Sequence, residues 1–153
     1  MTDITTSTHQ AVVGYDGSAN STAALAWAMN HVSRLGGGTI KVVMSWNYAP
    51  TAVSGYGIGG SLPPAESMQE ATVQALSEAL AGVTPPAGVV LEQVAAEGSA
   101  ASVLLEEAKG AEIIVVGKRG HGGFLGLLMG SIANQVANHA SCPVVIVPSE
   151  PES

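Results

Sequence analysis

Cysteine, basic residues and aromatic residues are all scarce in this sequence of 153 residues. Cys142 is its only cysteine, so no intrachain disulfide can form, which is typical of proteins from a reducing compartment. Five Lys and Arg stand against twelve Asp and Glu, and the net charge of −7 disfavours binding to nucleic acid or to an anionic membrane surface. Aromatic residues make up 4% of the chain, so the core must be built from Ala, Val, Leu and Ile.

Long apolar runs are missing as well. No stretch approaches the roughly 20 residues of a membrane-spanning helix, and residues 1–10 lack the pattern of a signal peptide, so we expect a cytoplasmic protein. The length predicts one domain, which we place at 11–148, between a disordered tail at 1–10 and a second tail at 149–153. Residues 47–64 are rich in Gly and Pro without periodicity, and they predict a mobile loop.

Strand and helix patterns alternate along the chain. Apolar runs at 11–15, 39–46, 88–98, 111–117 and 142–148 predict strands. Helical spacing of apolar residues appears at 22–35, 68–80, 99–110 and 131–140. Because runs such as IIVV and VVIV do not alternate with polar residues, they favour a parallel sheet covered on both faces. We therefore predict an α/β fold of Rossmann-like type, with four helices on an open, doubly wound, five-stranded parallel sheet in the order 3-2-1-4-5.

The winding of such a sheet reverses between strands 1 and 4, and ligands bind at that switch point, outside the carboxyl ends of the strands. Both strands end in the letters VVG, at Gly14 and Gly117. We expect these two glycines to lie side by side, where the lack of a Cβ would let a flat ligand approach the backbone.

The segment after Gly117 is rich in glycine and holds two of the five basic residues. Glycines such as Gly120 at positive φ would let successive N–H groups converge on an anion. A helix that begins at Gly130 and Ser131 would add its own unpaired N–H groups and its dipole. The segment therefore predicts a site for a phosphate-type anion, although an ordinary glycine-rich connection is the alternative.

The spacing Gly117-x2-Gly120-x9-Gly130-Ser131 matches the nucleotide-binding signature of the universal stress proteins, G-x2-G-x9-G followed by Ser or Thr. The chain also resembles that family in VVGYDGSANSTAALAWA near its start and in LLMGSIANQVANHASCPVVIVP near its end. The resemblance covers residues 11–148. On these motifs the sequence is identified as a single-domain universal stress protein of the nucleotide-binding type.

This resemblance implies that ATP lies across the switch point, with Mg2+ or Mn2+ accompanying its phosphates. Gly14 and Asp16 would face the adenosine, and Ser45 would line the base. The residues that would hold the ribose and phosphates are Gly117, Lys118, Arg119, Gly120, His121, Gly122, Gly123, Gly130, Ser131 and Ile132. Each side chain has an ordinary alternative: a turn for Asp16, a helix cap for Ser131, and solvated loop positions for Lys118, Arg119 and His121.

The resulting hypothesis is a nucleotide-dependent regulatory module of the stress response, without catalytic residues and without a protein metal site. One alternative is a slow ATPase or phosphotransferase that uses Asp16 and a bound metal. Others are a module that binds AMP or cyclic AMP, or one that only dimerises. The last predicted strand has no charge between its prolines and would be an unprotected edge, so we expect a homodimer through 144–147, as the resemblance also implies.

Overall fold

The computed structural model describes residues 9–48, 62–119 and 129–149. Strands and helices alternate as predicted. The elements are β1 (Gln10–Gly14), α1 (Ala19–Arg34), β2 (Gly38–Trp46), α2 (Ala65–Ala81), β3 (Val89–Glu97), α3 (Ala100–Glu107), β4 (Ile113–Gly117), α4 (Ser131–His139) and β5 (Val144–Val147). Gln10, which we assigned to the N-terminal tail, is the first residue of β1. The rest of that tail up to residue 8, positions 49–61 of the predicted loop, and residues 150–153 lie outside the described residues.

The sheet confirms the predicted topology. Its five strands are all parallel and lie in the order β3-β2-β1-β4-β5. The central strand β1 pairs with β2 on one side and β4 on the other, so that Val12 lies opposite both Lys41 and Ile114. The winding therefore reverses between β1 and β4, which is where this fold forms a crevice.

Two apolar layers cover the two faces of the sheet. On one face, α1 and α2 bury a cluster that includes Val13, Ile40 and Leu76. On the other face, α3 and α4 bury a cluster that includes Val12 and Leu104. Neighbouring residues of β1 thus belong to different layers, as the alternation of side chains along a strand requires. Among the described residues, no helix is both long and apolar enough to cross a bilayer.

The first helix begins earlier than its apolar spacing indicates. We predicted a start at Thr22, whereas α1 starts at Ala19 with Ser18 as its N-cap. The Ser18 side chain accepts a hydrogen bond from the Ser21 N–H at 3.2 Å. This cap satisfies an N–H group that no helical carbonyl reaches, so the polar residues before the apolar stripe still belong to the helix.

Candidate functional site

A cleft opens at the carboxyl ends of β1, β2 and β4, at the switch point of the sheet. Its empty volume is about 550 Å³, including the space at its open mouth. It is lined by Gly14, Tyr15, Asp16, Ser18, Ser21, Val43, Met44, Ser45, Ala100, Leu104, Val116, Gly117, Arg119 and Ile132. The lining therefore includes six of the residues assigned to the site from the sequence: Gly14, Asp16, Ser45, Gly117, Arg119 and Ile132.

The turn between β1 and α1 forms a polar wall of this cleft. Asp16 Oδ1 accepts a hydrogen bond from the Ser18 N–H at 2.9 Å, and Gly17 between them has a φ of 84°. Ser21 Oγ donates to the Ser18 carbonyl at 3.0 Å and accepts from the Asp16 N–H at 3.2 Å. Asp16 therefore has the turn-forming role that Sequence analysis gave as its alternative to ligand binding. It is also exposed and borders the cleft.

Two residues of the polar wall, Ser18 and Ser21, were missed from the sequence. Both are buried and both line the cleft. The run DGSANS at 16–21 indicates helix-cap residues after β1, but a capping role alone does not place Ser18 or Ser21 in a ligand site.

The wall on the α3 and α4 side is aliphatic. It is lined by Ala100 and Leu104 of α3, Val116 of β4 and Ile132 of α4, and Ser45 of β2 also borders the cleft. No sequence pattern distinguishes Leu104 from the other apolar residues of its helix, so it could not be assigned to the site. The cleft thus combines an aliphatic surface with hydroxyl groups and a carboxylate, which is the mixture expected of a small-molecule site.

The expectation that Gly14 and Gly117 lie side by side is wrong. The register pairs Val13 with Val115, so Gly14 falls one residue short of Gly117. A Cβ placed on Gly14 would lie 2.9 Å from Leu104 Cδ1, whereas one on Gly117 would lie 2.6 Å from Asn20 Cβ. Because a strand turns successive residues to opposite faces, this offset of one residue directs the two glycines toward different layers.

Beyond Gly117, the chain is held by the backbone of Lys118. Its N–H donates to the Val147 carbonyl and its carbonyl accepts from the Gly130 N–H, each at 2.8 Å. Arg119 lines the cleft. The other residues assigned to this loop, Gly120, His121, Gly122 and Gly123, lie outside the described residues.

At the start of α4, Gly130 occupies the N-cap position with φ −69° and ψ 165°, a conformation open to any residue. Its carbonyl accepts from the Asn134 N–H at 3.0 Å, which is the first bond of the helix. Ser131 is therefore the first helical residue, and the alternative in which Ser131 itself caps the helix is wrong. The N–H groups of Ser131 and Ile132 precede that first bond and lie at the positive end of the helix dipole.

The described residues give little support to a metal site or to a cysteine nucleophile. Within them, no group of three or more His, Cys, Asp or Glu side chains is arranged to hold a metal ion. Burial raises the pKa of the Cys142 thiol, and a backbone hydrogen bond at Ile114 opposes that rise only in part. A thiol with a raised pKa is a poor nucleophile at neutral pH, which agrees with a packing role for Cys142.

The doubly wound sheet and the two-walled cleft at its switch point define an α/β domain of the type in which small molecules bind at that position. The model of the universal stress protein family matches residues 8–148. The chain belongs to that family.

Two curated relatives are mycobacterial proteins. A universal stress protein of Mycolicibacterium smegmatis is 33% identical over 141 residues, which cover 89% of this chain and 44% of the relative. One from Mycobacterium tuberculosis is 34% identical over 136 residues, with 88% and 43% covered. The chain thus spans less than half the length of these curated relatives.

Solved structures of the family share the fold. UspA from Lactobacillus plantarum has a TM-score of 0.71 at 18% identity, with 94% of this chain and 99% of that chain covered. A universal stress protein in complex with cAMP has a TM-score of 0.57 at 23% identity, with 93% and 98% covered. A family member from Arabidopsis thaliana with AMP bound has a TM-score of 0.53 at 19% identity, with 93% and 92% covered.

Proposed function

We propose that this chain binds an adenine nucleotide in the cleft and acts as a nucleotide-dependent regulatory module. The observation that carries the proposal is the position of the cleft, at the switch point between β1 and β4, with the start of α4 on its rim. Its aliphatic wall suits a flat base, while Asp16 and the helix start suit a ribose and an anion. The AMP and cAMP bound to two proteins of the same fold support an adenine nucleotide as the ligand class.

Among adenine nucleotides we propose ATP, because the glycine spacing matches the signature associated with it. Ser45 and Asp16 would hold the adenosine. The N–H groups of Ser131 and Ile132 would hold phosphate oxygens, since a helix N-terminus favours anions, and Arg119 at the cleft would add an attraction that salt screens. A divalent cation such as Mg2+ or Mn2+ would enter with the phosphates, because Mg2+ is commonly held by substrate phosphates, one or two carboxylates and water.

Calorimetric titration of the purified protein with ATP, AMP and cAMP tests the proposal. We expect saturable binding of at least one nucleotide. Asp16→Asn keeps an oxygen that can accept from the Ser18 N–H while removing the charge, and it should weaken binding about tenfold. Glu92→Gln, an exposed position of β3, removes the same charge away from the cleft and should bind like the parent. Failure of all three nucleotides to bind would show that the proposal is wrong.

The same samples decide between binding and slow catalysis. A regulatory module should release phosphate from ATP no faster than the Asp16→Asn variant does at saturation. Steady release by the parent that Asp16→Asn abolishes would instead favour the ATPase or phosphotransferase alternative.

We further propose that two copies pair through β5. This strand is at one edge of the sheet, and all four of its residues are only half-buried. At the opposite edge, β3 presents the exposed residues Glu92 and Gln93, which discourage pairing. The uncharged β5 edge is therefore the better template for a second strand.

Light scattering at micromolar concentration tests this pairing. We expect the mass of a dimer for the parent and a shift toward monomer for Val145→Lys, which places a charge on the β5 edge. Val90→Lys is the control for a lysine on the opposite edge of the sheet, where Val90 is 59% exposed, and melting temperatures account for the greater burial of Val145. A monomeric parent, or equal effects of the two substitutions at equal melting temperatures, would contradict the proposal.

A further inference from the structure

Leu104 occupies the space that a side chain on Gly14 would need. Leu104 is 2% exposed, lines the cleft and belongs to the apolar layer under α3 and α4. A Cβ on Gly14 would lie 2.9 Å from Leu104 Cδ1 and 3.4 Å from Leu104 Cδ2. The tip of this leucine therefore lies where a Gly14 Cβ would stand, at the end of β1, and both residues line the cleft.

This placement changes the reason for a glycine at position 14. A ligand that touched Gly14 Cα where a Cβ would stand would collide with Leu104, which is already there. The missing side chain thus makes room for a residue of the protein. The ligand would contact Leu104 and its neighbours Ala100 and Ile132 on the same wall.

A side chain on Gly14 could displace Leu104 in only one direction. Away from the cleft, Leu104 belongs to a cluster with Val12, Ile114 and Val136, each at most 1% exposed. Such interiors are close-packed and have no room for a shifted methyl group. The cleft is the adjoining open space, so a larger residue at 14 would push the leucine tip into it.

We propose that a glycine at position 14 keeps the cleft open, because it leaves room for Leu104 outside the space that the base would occupy. Leu104 is then the positioning residue that sets the depth of the aliphatic wall. The inference rests on the proposed nucleotide binding. It states that the effect of position 14 on the ligand is transmitted through one side chain of α3. Direct contact between the ligand and Gly14 predicts a different result.

A double-mutant cycle separates the two possibilities. ATP, AMP and cAMP are each titrated into the parent, Gly14→Ala, Leu104→Ala and the double variant. Overpacking at position 14 should weaken binding about tenfold in the parent background. The same Gly14→Ala change should have less than a roughly twofold effect when Leu104 is alanine, because the methyl groups that it would displace are gone.

A second pair of variants, Leu104→Val alone and together with Gly14→Ala, keeps the test valid if Leu104→Ala unfolds the protein. Leu104→Ala leaves a cavity and can cost substantial stability, so Leu104→Val provides a smaller truncation. Melting temperatures are measured for every variant. Gly82→Ala is the control, because a Cβ at Gly82 meets no atom within 4 Å.

Each outcome distinguishes this inference from the proposed function. Loss of the Gly14→Ala effect in either Leu104 background supports the inference. An equal loss of affinity in all backgrounds overturns it and assigns the contact to Gly14 itself, while nucleotide binding stands. A parent that binds none of the three nucleotides overturns both.

Discussion

Gly14 and Gly117 look equivalent in the sequence but have different neighbours in the structure. Each follows two valines, ends a central strand and lines the cleft. Position 14 faces the flexible end of Leu104, whereas position 117 faces the backbone of Asn20 in the first turn of α1. A glycine in a ligand-binding motif can therefore be required by the packing of the fold rather than by the ligand.

The contact at Gly117 is rigid because several bonds hold the start of α1. A Cβ there would lie 2.7 Å from the carbonyl carbon of Asn20 and 2.8 Å from its oxygen. The Asn20 side chain also accepts a hydrogen bond from the Ser149 N–H at 3.2 Å. Moving this turn away from β4 would disturb that bond and the polar wall of the cleft. A shift of the helix would therefore cost free energy.

The largest effect is therefore expected for Gly117→Ala. Because the new methyl group would meet helix backbone, we expect a loss of about 3 kcal/mol in the free energy of unfolding. Urea unfolding followed by circular dichroism measures it. Gly82→Ala, with open space around the position, should unfold within about 0.5 kcal/mol of the parent. An unchanged urea midpoint for Gly117→Ala would show that α1 can move.

Gly14→Ala should cost much less stability than Gly117→Ala. The nearest atom to its new methyl group is the end of a leucine side chain, which can shift by a few tenths of an ångström. We expect a loss of about 1 kcal/mol or less in the same urea titrations. Equal losses at positions 14 and 117 would remove the distinction between a flexible and a rigid neighbour.

The fold could be predicted because its signals are local. The alternation of apolar runs with helical spacing, and the lack of polar residues within strands such as β4 and β5, lead directly to a buried parallel sheet. The rules for the handedness of crossover connections then limit the order of the strands in the sheet. The start of α1 was misplaced because Ser18 is polar, and helix caps do not share the apolar spacing of the helix.

The site could be predicted only in part. Glycine spacing, the strand ends and the family resemblance in the first turn located the cleft residues that belong to loops, such as Asp16. They could not reveal Leu104, because its role arises from a contact between α3 and β1 that no local pattern records. Nor could they reveal that Gly14 and Gly117 are offset, since the register of parallel strands is set by long-range packing.

The smallest effects are expected for the side chains that follow Gly117. Lys118 holds the end of β4 through its backbone, which any residue supplies, and its side chain is absent from the cleft lining. Lys118→Ala should thus weaken ATP binding less than roughly threefold, and Arg119→Ala, at the cleft, by about tenfold. The double variant should lose no more than about thirtyfold in ATP affinity. Most of that loss should disappear at 1 M salt, where screening shortens the reach of exposed charges to about 3 Å. Calorimetric titrations of the single and double variants with ATP at low and high salt measure these losses. A larger loss that persists in high salt would mean that side chains clamp the phosphates directly, and that the backbone around Gly117 matters less to the ligand than to the fold.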